Sequence, residues 1–278
     1  MKAFLIIGIT LVSLLFLICL IYILALNPGR RRKGKADVLM GKCVAHRGLF
    51  DNEEVAENSF GAFEKAIEAG FPIELDVQLT ADGKLVVFHD ETLTRMCPGY
   101  EKKVVECSYS FLKGLTLLET RDRIPLFSEV LSLVNGRVPL LIEIKCYADY
   151  IATTRSLDSA LKEYKGEYAI QSFHPRIVAW YRKNRPEVPR GLLCTKYKCK
   201  SDFFPKFLYP FCSTLLLNFY SRPDFVSFNH KYTSIFPFRL ARKLYRFICA
   251  GWTLKNEKTL KKVRRIFDIY IFDSFIPK

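Results

Sequence analysis

The strongest constraint on this chain is an alternation. From Val38 onward, short β-rich runs take turns with amphipathic segments of helical length. The runs are 42–45, 72–79, 84–89, 139–145, 167–173, 190–194, 225–229, 247–254 and 268–272, and several are apolar almost throughout. A strand without polar alternation is buried on both faces, as happens in parallel sheets covered by helices. The intervening segments are 58–69, 127–134, 151–164, 176–184, 204–219, 237–246 and 257–267, the first behind Asn58 or Ser59 as N-cap. Strand alternating with helix predicts an α/β fold with a parallel sheet. About eight such units in about 240 residues is the size of a (β/α)8 TIM-type barrel. Nine runs are one too many. Thr80-Ala81-Asp82-Gly83 joins the second and third by a turn instead of a helix. Either one of those two is an accessory strand or the final run stays outside the barrel.

The amino-terminal end is of another kind. From Ala3 to Leu26 there is no charged residue, enough to cross a hydrocarbon core that takes roughly 20 helical residues. The run ends in Leu24-Ala25-Leu26-Asn27-Pro28, without the small-x-small pair of a cleaved signal peptide, which is kept as the alternative. Five cations follow within residues 30–35, whereas Lys2 stands alone before the run. That asymmetry predicts a single-pass anchor with the C-terminal side in the cytoplasm. Nine cysteines, an odd number with no CxxC pair, agree with a reducing compartment. The expected organisation is a transmembrane anchor over 1–27 that meets the bilayer through 3–26, a basic linker over 28–37, and a barrel over 38–278.

Composition narrows the partners. Half the residues are hydrophobic and 26% are charged, which excludes a disordered chain or a small disulfide scaffold. A net charge of +15 favours an anionic partner. Residues 239–265 hold ten Lys or Arg against Glu257 alone; a solvated helix face is the plain expectation, with lipid headgroups next. No nucleic-acid module is recognisable, so nucleic acid is not an expected partner. The aromatic stretch 203–220 is expected to be a barrel helix, with peripheral membrane contact as the alternative.

In a parallel barrel the working residues sit at the C-terminal ends of the strands. Those ends carry His46-Arg47-Gly48, Glu74 and Asp76, His89-Asp90, Glu143 and Lys145, Gln171-Ser172-Phe173, and Trp252. Glu74 and Asp76 are two apart and share one face of a strand, as do Glu143 and Lys145. Three carboxylates in one mouth repel unless a cation neutralises them, and oxygen ligands favour Mg²⁺ or Ca²⁺ over zinc. Two imidazoles beside Arg47 and Lys145 suit an anionic substrate, a phosphate ester best of all, with histidine as proton donor and acceptor. Taken singly, each residue has a plainer role. Glu-x-Asp is commonly surface alternation, Arg47 a salt-bridge partner, Lys145 a partner of Glu143 or Asp76, and Trp252 core. His174 and His230 are expected to be structural.

The motifs Val44-Ala45-His46-Arg47-Gly48, Glu57-Asn58-Ser59, Glu74-Leu75-Asp76-Val77, Asp82-Gly83, Val86-Val87-Phe88-His89-Asp90 and Glu143-Ile144-Lys145 occur in order. Together with Gln171-Ser172-Phe173-His174-Pro175 and Trp252-Thr253, they resemble the glycerophosphodiester phosphodiesterase family from about Gly41 to about Asp273. Ser59 stands where the family usually has Thr. The resemblance implies a phosphodiesterase-type (β/α)8 barrel with His46 and His89 catalytic and a divalent cation, Mg²⁺ or Ca²⁺, on Glu74, Asp76 and Glu143. It also implies Arg47 and Lys145 on the phosphate oxygens, Trp252 at the mouth, and Glu57 with Asn58 in support. The implied reaction is hydrolysis of a glycerophosphodiester to an alcohol and glycerol 3-phosphate. The alternatives are lysophospholipase D action on membrane lysophospholipids, a phosphoinositide-type phospholipase C, and a catalytically inactive, membrane-tethered binding barrel. Against the last stands a complete set of site residues. The family has a Gly before its last strand and Thr-Asp after it; here Phe267 and Phe272-Asp273 stand there.

Overall fold

The structure, a computed structural model, describes residues 2–29, 37–196 and 214–278. Eight parallel strands close on themselves in the order β1 (Cys43–His46), β2 (Ile73–Leu79), β4 (Leu140–Ile144), β5 (Tyr168–Ser172), β6 (Arg190–Cys194), β7 (Phe225–Asn229), β8 (Ile248–Leu254) and β9 (Ile269–Phe272). Pairing of β1 with both β2 and β9 completes the ring. The surplus run is β3 (Leu85–Val87), which folds back antiparallel onto β2. The final run therefore belongs to the barrel, despite Phe267 and Phe272-Asp273 at its ends.

Side-chain parity explains how one barrel is both a core and a site. Inward positions on each strand recur every second residue. At the strands' N-terminal end these are Val44, Leu141, Ala169, Phe225, Ile248 and Ile269, packed in one cluster with Leu39 of a short 3₁₀ turn that closes this end. Two residues further along, the same faces carry Glu143, Gln171 and Ser227, and β2 adds Glu74 and Asp76. The interior thus changes from apolar to polar towards the mouth. A Cβ on Gly191 would come within 2.2 Å of the Phe225 ring, so the missing side chain on β6 is the space that Phe225 fills.

The outer helices come where periodicity expects them, at slightly different ends. They are α2 (Phe60–Glu68), α4 (Phe127–Val134), α5 (Tyr150–Ala160), α6 (Pro175–Asn184), α8 (Phe236–Tyr245) and α9 (Glu257–Val263). Ser59, not Asn58, caps α2, its hydroxyl accepting from the Ala62 N–H. Of the helix expected over 204–219, residues 204–213 lie outside the described residues, and α7 (Asn218–Ser221) follows. Between β3 and α4, residues 88–126 form a lobe that includes the one-turn helix α3 (Tyr109–Leu112). Leu93, Met96, Val104, Leu112 and Ile124 give it a hydrophobic cluster separate from the barrel's. No periodic pattern in the sequence announces this lobe.

α1 (Lys2–Ala25) is a 24-residue helix long and apolar enough to cross a membrane, and its large side chains are exposed until its final turn. There it meets the barrel: Leu26 is fully buried in the main core.

One glycine after β1 is sterically required. Gly48 has φ +84°, and a Cβ there would stand 2.7 Å from the Ala62 carbonyl oxygen in α2. Gly48→Ala is expected to cost about 1–3 kcal/mol, from a left-handed non-glycine residue plus a backbone clash. Thermal unfolding measures this, and an unchanged midpoint would contradict the tight fit.

Candidate active site at the barrel mouth

His46 closes β1 in register with Glu74 on β2, and Asp76 stands in register with Glu143 on β4. The three carboxylates are buried, and one oxygen from each lies within 4.8 Å of the others. Lys145, just past β4, sets its ammonium 2.8 Å from Asp76 Oδ1 and 2.5 Å from Glu143 Oε1. Asn58 Nδ2 donates to Asp76 Oδ2 at 2.9 Å. Arg47 has φ +60°, a left-handed backbone that costs a non-glycine residue energy. Its guanidinium donates to Glu57 Oε1 at 2.7 Å and lies 3.4 Å from Asp76 Oδ2. His46, Arg47, Glu74, His89, Glu143 and Trp252 line one cavity of about 90 Å³, room for about three waters. The indole of Trp252 stands edge-on to Phe173 with ring centroids 5.7 Å apart, and its Nε1–H is buried without an acceptor among the described residues.

His89 reaches this cavity by an unexpected route. Its strand is the accessory β3, running opposite to the barrel strands, and the Phe88 N–H bonds to the Asp76 carbonyl just before His89. The chain doubles back over the mouth and lowers the imidazole in from above. Strand-end logic found the residue but not the path.

Each imidazole has a carboxylate behind it. His46 Nδ1 lies 3.1 Å from Asp273 Oδ2, and His89 Nδ1 lies 2.5 Å from Asp90 Oδ1. Such a partner fixes ring orientation and tautomer and leaves Nε2 for chemistry. Burial and the neighbouring Arg47 charge lower the His46 pKa against the pull of Asp273. Burial and the Lys145 charge bring His89 down to about 4.

The carboxylates divide. Burial works to raise Asp76, but Lys145, His89 and Arg47 together hold it well below its ordinary range. Burial, with the charges of Asp76 and Glu143, pushes Glu74 well above its ordinary value, and burial raises Glu143 as well. Two basic side chains do not neutralise three buried carboxylates. A site short of positive charge and lined by oxygen donors fits a hard divalent cation.

Four contributors had no role assigned from sequence: Gln171 and Asp273, which the motifs include, and Ser227 and Arg95, which they do not. Gln171 donates to Glu74 Oε1 at 3.2 Å and accepts from Ser227 Oγ at 2.6 Å, a polar chain across the barrel interior. Gln171 interrupts an apolar strand, and that interruption was its signal. Asp273 keeps the Asp of the family's Thr-Asp, behind Phe272 in place of Thr. Arg95 lies in the lobe and binds Glu57 Oε1 at 2.6 Å and Asp90 Oδ2 at 2.6 Å; nothing in the sequence marks it. Away from the cavity lining, the His174 ring stacks on Tyr150 with centroids 4.3 Å apart.

With the barrel and its mouth described, known proteins supply the class. A phosphodiesterase of Oleispira antarctica, solved with sn-glycerol-3-phosphate, has the same fold, with a TM-score of 0.68 over 86% of this chain and 95% of that one at 19% identity. The fold is thus that of the barrel-type phosphodiesterases. The chain belongs to the glycerophosphoryl diester phosphodiesterase family, whose model matches residues 46–271. A glycerophosphodiester phosphodiesterase of Caldanaerobacter subterraneus is 37% identical over 175 residues, 56% of this chain and 66% of that protein. A human relative, lysophospholipase D GDPD1, is 27% identical over 160 residues, 53% of this chain and 49% of its own length. The matched stretches thus span between about half and about two thirds of these relatives.

Proposed function

We propose that this chain hydrolyses glycerophosphodiesters to an alcohol and glycerol 3-phosphate by acid–base catalysis. The observation that carries this is the meeting of two carboxylate-backed imidazoles with three buried carboxylates at one small cavity. Arg47 is placed to hold a non-bridging phosphate oxygen, its fork oriented by Glu57. Lys145 is shared between Asp76 and Glu143 and serves first to keep them ionised. One imidazole starts neutral and takes the proton of the attacking hydroxyl (water, or the neighbouring glycerol hydroxyl); the other starts protonated, a form the anionic phosphodiester favours, and passes its Nε2 proton to the departing alcohol. Glu74, Asp76 and Glu143 would hold Mg²⁺ or Ca²⁺, which when bound polarises the phosphoryl oxygen and stabilises charge in the transition state. Trp252 and Phe173 make the apolar wall against which a glycerol or headgroup carbon can lie. A panel of glycerophosphodiesters and lysophospholipids, assayed with the purified full-length chain, tests this; turnover of neither class refutes it.

A second substrate class, lysophospholipids, is favoured by the human relative and by an apolar helix able to hold the barrel near lipid. We read residues 1–27 as the anchor, 28–37 as the basic linker and 38–278 as the barrel domain, on the cytoplasmic side. The support is the five cations of residues 30–35 against Lys2. Protease added to intact cells should leave the barrel uncut. Cleavage there, or modification of its cysteines by a membrane-impermeant thiol reagent, would reverse the orientation.

A further inference from the structure

The last turn of α1 meets one end of the barrel. Tyr245 Oη donates to the Ile23 carbonyl at 2.6 Å, Asn218 Nδ2 to the Leu26 carbonyl at 3.0 Å, and Arg222 Nη1 to the Asn27 carbonyl at 3.4 Å. Asn218 and Arg222 lie just before β7, and Tyr245 just before β8. All three therefore belong to the rim at which the strands begin, whereas His46, Glu143 and Trp252 sit where strands end. Strands of four to seven residues, tilted to the barrel axis, set the two rims on the order of 15 Å apart.

The starting rim is dressed for a membrane surface. Phe219, Tyr220 and Leu244, beside the residues that grip α1, are 52%, 44% and 47% exposed. On the sector of this rim formed by the adjacent strands β8, β9 and β1, Lys42, Lys243, Arg246, Arg264 and Arg265 are exposed, each within a few residues of a strand start. Aromatic and apolar side chains together with cations match the boundary between headgroups and acyl chains, and the cations match anionic phospholipid. Among the described residues, the exposed large apolar side chains on the mouth side, Tyr100, Phe236 and Ile276, stand on three separate segments.

We propose that the barrel rests on the bilayer that α1 enters by its strand-N-terminal rim, through Phe219, Tyr220, Leu244 and these cations. The catalytic mouth then opens away from that bilayer. This rests on the membrane-anchored diesterase described above and sharpens its substrate class: the enzyme takes diesters that reach it from water, and not lipids seated in its own leaflet. The anchor concentrates the enzyme at a surface without feeding it from that surface.

The test uses the full-length chain in phosphatidylcholine vesicles containing phosphatidylserine, with a nitroxide quencher on the lipid headgroup. A fluorophore is attached at Tyr220→Cys, at Glu54→Cys in the loop after β1, or at Leu14→Cys within α1, with the chain's own reactive thiols changed to Ser. Strong quenching at 220 and weak quenching at 54 is the expected pattern. Stronger quenching at 54 than at 220, or none at 220 while position 14 is protected from water, overturns the orientation. A position 14 label exposed to water removes the anchor and this proposal with it. Turnover of a soluble glycerophosphodiester should be the same in vesicles and in detergent. A long-chain lysophospholipid should be hydrolysed several-fold more slowly from the enzyme's own bilayer than from mixed micelles, and the reverse order overturns the proposal. The quenching arm needs no turnover. An inert enzyme with the expected quenching would therefore refute the activity and uphold the orientation.

Discussion

Excess chelator should abolish hydrolysis by the full-length chain, and Mg²⁺ or Ca²⁺ added back should restore it. Glu74, Asp76 and Glu143 offer three oxygens within 4.8 Å of one another, all from buried side chains. Burial and two neighbouring carboxylates push Glu74 upward, so without a further cation it tends to retain its proton. A divalent ion reverses that preference and makes all three groups ligands. Its removal takes away several kcal/mol of charge stabilisation at the phosphoryl group, on the order of 10²- to 10⁴-fold in rate. Glu74→Ala should lose activity to a similar extent and keep the far-ultraviolet circular dichroism of the barrel. Undiminished turnover in chelator would sink the assignment of these carboxylates to a metal.

The second large effect concerns the two imidazoles. His46→Ala and His89→Ala should each remove a proton-transfer step worth about 10²–10⁴ in rate. The double variant should lose little more than the worse single one, because groups acting as one unit fail together. A nitrophenyl diester, whose leaving group departs without a proton, should rescue the variant lacking the general acid and leave the other inactive. That contrast assigns the two roles. If both variants turned over every diester as well as the parent, the pair would have no part in the chemistry.

Much of this architecture was readable from pattern. Strands buried on both faces leave near-continuous apolar runs, so the parallel barrel and most helix positions could be placed. Glu74 with Asp76 and Glu143 with Lys145 were visible because residues two apart share a strand face. The path of His89 was not, since an antiparallel return and a ninth barrel strand leave the same short apolar trace. Choosing between them needed the pairing of β1 with β9. Asp273 and Arg95 were hidden for a related reason. Each matters through a partner far away in sequence, His46 for one and Glu57 for the other. The 88–126 lobe has turns and a compact cluster but no periodicity to betray it.

The double grip of Arg95 has a consequence for the timing of conformational cost. One guanidinium ties the lobe both to Glu57, which aims Arg47, and to Asp90, which backs His89. Ordering a side chain as long as arginine forfeits substantial rotamer entropy. Here that loss is incurred once, as the lobe settles onto the ring of strands, and is not repeated at each catalytic cycle. The arriving phosphate finds its clamp and its proton carriers already aligned, so its binding energy goes to the transition state instead of to assembling the machinery.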